Sequence, residues 1–259
     1  MKDCREEWFD AEKKVAVTIV DVTSAAQELA RGHLAGPTAA HYLTEALASV
    51  ALLGGEMSEK DETVILQAKC SGPLGGYNVE CTAAGTLRGY TEKKVLDGFD
   101  GLGKPKDRMV LGDQQIQVTR SVLGRILSQG ISTSLDGYLA GSLQRKACLK
   151  VEAAVSDEVE ILEARGILVE DLPDAKGPMV CCKTDELKSL AVASRNVLKR
   201  LGLDKAELKR TTPLKFACRC SPDRAVAMLA ALSEEERKSL PPTIDITCHM
   251  CGKTFTVKV

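Results

Sequence analysis

The sequence predicts an α+β protein made of antiparallel sheets with packed helices, followed by a helical linker and a small cysteine-containing C-terminal domain. Three observations predict it. Segments of alternating polarity are separated by glycine turns, longer segments place apolar residues at helical spacing, and four cysteines fall in the last 42 residues. The predicted divisions are residues 1–175 for the N-terminal domain, 176–213 for the linker and 214–259 for the C-terminal domain.

The composition restricts the kind of protein. A chain of 259 residues with 44% hydrophobic residues can bury a large core, although only 3% of its residues are aromatic. Few aromatic side chains mean few surfaces on which nucleic-acid bases can stack. A net charge of -1 also argues against a general polyanion binder. We therefore expect an aliphatic core and no broad nucleic-acid surface.

The first elements are a strand and two helices. Residues 14–20 are rich in β-branched side chains, which predicts a strand. Helices are predicted over residues 23–31 and 38–53, because the second follows Gly-Pro-Thr and ends at a glycine pair. His33 and His41 lie here without neighbours at metal-ligand spacing, so structural or surface roles are predicted for both.

An antiparallel meander is predicted next, with strands over residues 62–70, 77–81 and 86–90. The glycine-rich turn at residues 71–76 lacks the phosphate-binding pattern and leads into a strand, so it indicates a hairpin.

The second half of the N-terminal domain carries weaker signals. A glycine-rich loop at residues 98–112 precedes a predicted strand over 115–119. A helix is then predicted over 136–146, with Asp136 as its N-cap. Further strands are predicted over 148–155 and 166–170. Three cysteines in strand positions are interpreted as inert small apolar residues, and they are Cys70, Cys81 and Cys148.

A linker is predicted after the turn-forming stretch at residues 172–178. Residues 184–201 place apolar side chains at helical spacing between a Thr184 N-cap and Gly202 at the C′ position. The segment is also strongly basic. Such a helix is marginal alone, since most helix stability comes from packing the apolar face on another element. The adjacent Cys181 and Cys182 stand at its entrance.

Four cysteines in two close pairs lie in the C-terminal part of the sequence. They are Cys218 and Cys220, then Cys248 and Cys251, with 27 residues between the pairs. Two short turns that each offer two thiolates can surround one tetrahedral Zn²⁺, and Gly252 permits the left-handed turn of a zinc knuckle. Unrelated buried or oxidised cysteines are the alternative. Between the pairs, Ser221 and Ser233 are predicted N-caps of two short helices, and a hairpin is predicted around the second pair.

Other functions are disfavoured. A zinc-ribbon protein that binds nucleic acid conflicts with the near-neutral charge, and a thiol oxidoreductase would need its Cys-x-x-Cys beside a βαβ pattern. No Ser/His/Asp or paired-carboxylate signature marks an enzyme. The start is charged and no segment approaches the roughly 18–20 apolar residues of a membrane helix. With ten cysteines and no export signal, we expect reduced thiols in the cytoplasm.

The residues around these cysteines resemble the C-terminal switch of the thirty-three-kilodalton heat-shock chaperones, a family of redox-regulated holdases. The resemblance is carried by residues 216–221 and 246–255. Supporting patches follow in family order, namely residues 72–75, 87–90, 138–139 with Ser142 and Gln144, and 166–168.

The resemblance implies an ATP-independent chaperone that is inactive when reduced and zinc-bound. Cys218, Cys220, Cys248 and Cys251 would hold one Zn²⁺ per chain and act as redox sensors. Oxidation would form disulfides, release zinc and loosen the linker, exposing a surface for unfolded client proteins; activated members dimerise. Cys248 with Cys251 would be the less strained pair, while Cys218 with Cys220 would close a tighter, more easily reduced ring.

Overall fold

The architecture is known from a computed structural model that describes residues 3–101, 106–175 and 179–259, without the side chain of Cys182. The strands are β1 (Cys4–Asp10), β2 (Val15–Asp21), β3 (Glu62–Cys70), β4 (Gly76–Thr82), β5 (Thr86–Thr91), β6 (Gln114–Val122), β7 (Arg125–Ser132), β8 (Lys146–Val155), β9 (Ile161–Asp171), β10 (Glu207–Pro213), β11 (Lys215–Phe216), β12 (Thr243–Thr247) and β13 (Thr254–Lys258). The α-helices are α1 (Thr23–His33), α2 (Pro37–Leu53), α3 (Asp107–Val110), α4 (Leu135–Gly137), α5 (Ser194–Arg200), α6 (Pro222–Ala230) and α7 (Glu234–Lys238).

The strands form three sheets. The five-stranded sheet has the order β10-β1-β2-β9-β8, and the six-stranded sheet has the order β11-β5-β4-β3-β6-β7. A separate hairpin pairs β12 with β13. All of these pairs are antiparallel except β11 on β5. The predicted α+β class with antiparallel sheets is confirmed.

Helix α2 lies between the two large sheets and organises the core. It is rich in alanine and leucine, and Pro37 occupies its first turn, where a missing N–H costs nothing. Fifteen of its 17 residues are buried. Side chains from both sheets join it in one aliphatic core. At Gly166 of β9, a Cβ atom would lie 2.9 Å from Leu52 Cδ1, so glycine allows the helix to approach the sheet closely.

The opposite face of the five-stranded sheet carries a second core. The sheet contributes Trp8, Val15, Val17, Ile167 and Val169. The segment between residues 180 and 206, which we call the linker cover, packs against them. Its buried apolar residues are Val180, Cys181, Leu187, Leu190, Val197, Leu198, Leu201, Leu203 and Ala206. The sheet is thus covered by a long helix on one side and by the linker cover on the other.

The predicted strands and the first two helices are confirmed, with ends shifted by a few residues. Strands β1, β7, β10 and β11 were not predicted. In β1 the inward side chain on the α2 face is Arg5, which is only 1% exposed and donates from Nη1 to the carbonyl oxygen of Ala51 at 3.3 Å. The apolar alternation that marks a strand is therefore absent. Strand β7 is an edge strand with mostly exposed residues, so burial leaves no pattern on it.

The helix predicted over residues 136–146 is wrong. Ser134 provides the N-cap for α4, a single short turn, and one π-helical turn over Tyr138–Ser142 follows. The chain enters β8 at Lys146. Asp136, predicted as the cap, instead accepts a hydrogen bond at Oδ1 from the Leu149 backbone N–H at 3.1 Å. Pairing of β8 with β9 prevails over local helix preference.

The continuous helix predicted over residues 184–201 is also wrong. A 3₁₀ turn spans Cys181–Glu186, and only α5 is α-helical. Thr184 is not an N-cap, since its hydroxyl donates to the carbonyl oxygen of Cys181 at 2.9 Å. Gly202 does adopt the predicted C′ role, with a φ of +73°. The linker cover has the predicted apolar positions on a different backbone.

Two predictions fall partly outside the described residues. These are the middle of the loop at 98–112, and the boundary at residue 176, so the three-part division stays a prediction. Strand β10, assigned to the predicted linker, extends the five-stranded sheet by pairing with β1. Among the described residues, no helix is long and apolar enough to cross a membrane.

Candidate metal centre

The first cysteine pair is held at the edge of the six-stranded sheet. Strand β11 pairs with β5, and the N–H of Ala217 donates to the carbonyl oxygen of Leu87 at 3.1 Å. Cys218 therefore leaves the sheet in a fixed direction. After Cys220, the Ser221 hydroxyl accepts from the N–H of Arg224 at 3.2 Å and begins α6, as predicted.

The second pair lies in the turn of the β12–β13 hairpin. The carbonyl oxygen of Cys248 accepts from the N–H groups of Cys251 at 3.3 Å and of Gly252 at 2.8 Å. Gly252 has a φ of +74°, and a Cβ atom there would lie 2.0 Å from the carbonyl oxygen of Gly32. The turn thus needs glycine for its conformation and for its close contact with the end of α1.

The four predicted cysteines converge on one point. Their Sγ atoms all lie within 4.8 Å of one another. Cys218 Sγ is 3.8 Å from Cys248 Sγ, and Cys220 Sγ is 3.4 Å from Cys251 Sγ. Tetrahedral thiolates at about 2.3 Å from a metal would be separated by about 3.8 Å. The four sulfurs could therefore hold one metal ion, and their distances do not select one disulfide pairing.

The protein groups around the sulfurs shift the pKa values of three of the thiols in different directions. Burial opposes ionisation of Cys218, but hydrogen bonds from Cys220 and from the Arg88 guanidinium outweigh it and lower the pKa of Cys218 to about 7. Burial raises the pKa values of Cys220 and Cys251. Of these three thiols, Cys218 is therefore the one that the protein groups favour as a thiolate.

The cation beside the sulfurs was missed in the sequence. Arg88 on β5 lies with Nη1 3.9 Å from Cys218 Sγ and donates from Nη2 to Glu80 at 2.6 Å. Arg219, which lies between the first two cysteines, pairs with the other Glu80 oxygen at 2.7 Å. Glu80 is only 5% exposed and joins the strand to the cysteine turn through both arginines. No sequence signal marks it, because 130 positions separate Arg88 from Cys218.

The hairpin turn is docked on β5 and α1 by backbone contacts. The N–H of Gly89 donates to the carbonyl oxygen of Met250 at 3.1 Å. Gly89's own carbonyl oxygen lies 2.8 Å from His33 Nε2. Burial lowers the pKa of His33, so the neutral ring donates this bond. His249 stacks edge-on against Tyr90, with ring centroids 5.9 Å apart.

The other cysteines whose side chains the structure describes lie away from this cluster. Cys81 is fully buried, Cys4 and Cys70 are half-buried, and burial raises the pKa of each. Cys148 lies on β8 and contacts Cys181 in the linker cover. The predicted structural histidines, His33 and His41, are both buried.

The fold and the site define a class of protein: an α+β protein whose terminal hairpin docks a four-cysteine, metal-competent cluster on the edge of a large sheet. Comparison with known proteins identifies the family. The family model described as Hsp33 protein matches residues 7–258. The chain belongs to the Hsp33 family.

Individual relatives agree with this assignment. The 33 kDa chaperonin of Thermus thermophilus is 26% identical over 270 residues, covering 92% of this chain and 79% of the relative. The 33 kDa chaperonin of Lactiplantibacillus plantarum is 25% identical, covering 91% and 88%. The crystal structure of the Thermotoga maritima Hsp33 homologue has a TM-score of 0.85 at 21% identity, covering 100% of this chain and 95% of that one, which shows the same fold.

Proposed function

We propose that this chain is a redox-regulated, ATP-independent holdase that prevents aggregation of unfolded proteins. Its family membership supports a chaperone. One structural observation supports the regulation: among the described residues, the linker cover packs on the apolar face of the five-stranded sheet, and its chain continues through β10 and β11 to the first cysteine pair.

The off state rests on four thiolates. Bound Zn²⁺, one per chain, would keep Cys218, Cys220, Cys248 and Cys251 ionised and cross-link the hairpin to the turn after β11. The C-terminal module needs this link, because its own core consists of few buried residues, namely Ala225, Leu229, Phe255 and Val257. Residues 214–259 would act as the switch and residues 176–213 as the linker.

Oxidation would reverse this arrangement. Each disulfide formed by peroxide removes two electrons and two thiolate ligands, so forming both releases the metal. The pairs we propose join neighbours in sequence, Cys218 with Cys220 and Cys248 with Cys251. The hairpin turn would then lose its shape and its docking contact with Gly89, which leaves β11 and β10 less restrained.

Loosening of the linker cover would expose two matching apolar surfaces. One is the sheet face around Trp8, Val17 and Ile167, and the other is the linker's own row of leucines. Together they form a surface suited to extended apolar segments of unfolded proteins. We further propose that the oxidised chain forms a homodimer and acts in the cytoplasm.

A client-aggregation assay without ATP tests the proposal. Reduced, zinc-loaded protein should leave aggregation of a chemically denatured client unchanged, while peroxide-treated protein should suppress it and release one Zn²⁺ per chain. Size-exclusion chromatography of both samples tests dimer formation. Cys70→Ser is the matched control and should behave as the unaltered protein. Equal suppression of aggregation in both redox states would contradict the proposed redox regulation. No suppression in either state would contradict the proposed holdase activity.

A further inference from the structure

The linker cover is attached to the sheet by a row of side chains on one face of β8. Cys148 packs against the apolar cluster that contains Cys181 and is hydrogen-bonded to that thiol, Lys150 donates to the carbonyl oxygen of Leu187, and Glu152 accepts from the N–H of Leu190 at 2.6 Å. Alternate residues of the strand therefore meet three positions in order along the linker cover, namely Cys181, Leu187 and Leu190. The row begins with two thiols, Cys148 and Cys181, which oxidation can join in a disulfide.

The two thiols differ in accessibility. Cys181 is 2% exposed, and its thiol is hydrogen-bonded to both Asp171 and Cys148. The Asp171 carboxylate also accepts from the N–H groups of Val180 at 3.0 Å and Cys181 at 2.8 Å, which fixes this end of the linker. Cys148 is only half-buried. A small oxidant would therefore reach Cys148 first and leave Cys181 beside it as the resolving thiol.

The buried thiol of Cys81 has different surroundings. Cys81 Sγ lies 3.9 Å from Arg5 Nη1 and 3.5 Å from the carbonyl oxygen of Thr82. Cys148 and Cys181 instead join two segments separated by strand β9. A bond between them would close a loop that contains the whole of β9, and cross-links that close long loops restrict the open state most.

We propose that Cys148 and Cys181 form a second redox site, whose disulfide fastens the start of the linker cover to β8. The Cys148 sulfur attacks a peroxide oxygen, the O–O bond breaks, and a sulfenic acid and water form. The Cys181 sulfur then attacks Cys148, the S–O bond breaks and a second water leaves. Two thiols lose two electrons, and one peroxide gains them.

This second site would oppose the switch at the four-cysteine cluster. That consequence rests on the proposed holdase function, whereas formation of the disulfide does not. Burial raises the pKa of Cys181, so its oxidation should be slower than that of a zinc-bound thiolate. Once the linker cover has opened, the two sulfurs are separated. The disulfide would therefore form in molecules that remain closed and would keep them inactive.

The test uses the full-length, zinc-loaded chain treated with hydrogen peroxide for increasing times. Remaining thiols are alkylated in acid, and disulfides are mapped by mass spectrometry without reduction. We expect a Cys148–Cys181 peptide pair, and trypsin cleavage after Lys183 and Lys188 about tenfold slower in the cross-linked fraction. Cys182→Ser should retain this pair, and Cys70→Ser is the matched control.

Cys148→Ser should lack the cross-link, and its client suppression after peroxide should rise several-fold faster. Zinc release is measured in parallel and reports the four-cysteine switch alone, and circular dichroism reports folding of each variant. A failed switch would show as retained zinc, whatever disulfides are mapped. The second site is overturned if Cys148 pairs with another cysteine, if no cross-link forms, or if the cross-linked linker is cleaved as fast as the reduced one.

Discussion

The two faces of the five-stranded sheet are covered in different ways. On one face α2 supplies a 17-residue helix whose backbone hydrogen bonds are internal and whose residues are almost all buried. On the other face the linker cover has one 3₁₀ turn and the short helix α5. Between these turns its backbone bonds to the sheet, where Arg165 Nη1 donates to the carbonyl oxygens of Leu190 at 2.9 Å and Val192 at 3.2 Å.

The difference shows how one sheet can have a permanent cover and a removable one. A helix keeps its own hydrogen bonds wherever it lies, whereas the linker cover loses its polar contacts as soon as it leaves the sheet. The linker cover nevertheless forms part of a hydrophobic core, since its Leu198 and Leu201 are almost fully buried. We expect local opening on the linker side and only global unfolding on the α2 side.

The largest effect should come from Cys248→Ser. Removing one of four thiolates should lower zinc affinity roughly a hundred- to thousandfold, because structural sites bind with about 10–16 kcal/mol shared among their ligands. The linker cover should then exchange amide protons rapidly while α2 stays protected, as measured by hydrogen exchange and zinc titration. Cys70→Ser should change neither quantity. Equal loss of protection in α2 would contradict the expectation that only the linker side of the sheet opens locally.

Matched leucine truncations compare the covers directly. Leu47→Ala in α2 and Leu198→Ala in α5 each remove a fully buried side chain, which costs about 2–5 kcal/mol. Leu47→Ala should lower the global free energy of unfolding by that amount. Leu198→Ala should appear mainly as faster local exchange over residues 180–206, with a smaller change in Tm. Equal changes in global stability would show that the two covers unfold together.

Glu80→Gln should have a smaller effect and tests how the cluster communicates with the linker cover. The substitution weakens two charged contacts, to Arg88 and Arg219, and should cost about 1–3 kcal/mol of docking. We expect easier zinc release on oxidation and faster exchange in the linker cover. Glu158→Gln, at an exposed position, is the control. Unchanged exchange in the linker cover despite easier zinc release would show that Glu80 does not couple the cysteine cluster to the linker cover.

Glu152→Ala should have the smallest effect. It removes the carboxylate that accepts from the N–H of Leu190, a loss of about 1–2 kcal/mol. Exchange at Leu190 should increase while zinc affinity stays the same, since the change affects only the linker's attachment. Glu158→Ala is its exposed control. Unaltered exchange at Leu190 would show that the apolar contacts alone retain the linker cover.

Much of this architecture could be predicted because its signals are local. The β3–β5 meander alternates residue by residue, and Ser221 and Ser233 cap their helices as predicted. Arg5 in β1 shows the limit, since this buried arginine donates to Ala51 and Cys81, which distant segments contribute, as well as to Glu7 of its own strand. The linker is a second limit. Its apolar spacing indicated burial correctly, but Lys150, Glu152 and Arg165 bond its backbone and replace the helical hydrogen bonds.

The sequence by itself determined the α+β class, the four cysteines and the apolar positions of the linker, because periodicity and spacing are properties of the chain alone. The tertiary structure decided what those residues meet. Arg88 and Glu80 reach the cluster, Gly89 receives the hairpin turn, and Cys148 faces Cys181 only because strands distant in sequence lie side by side. Contacts of this kind depend on sheet order and register, which no local pattern specifies.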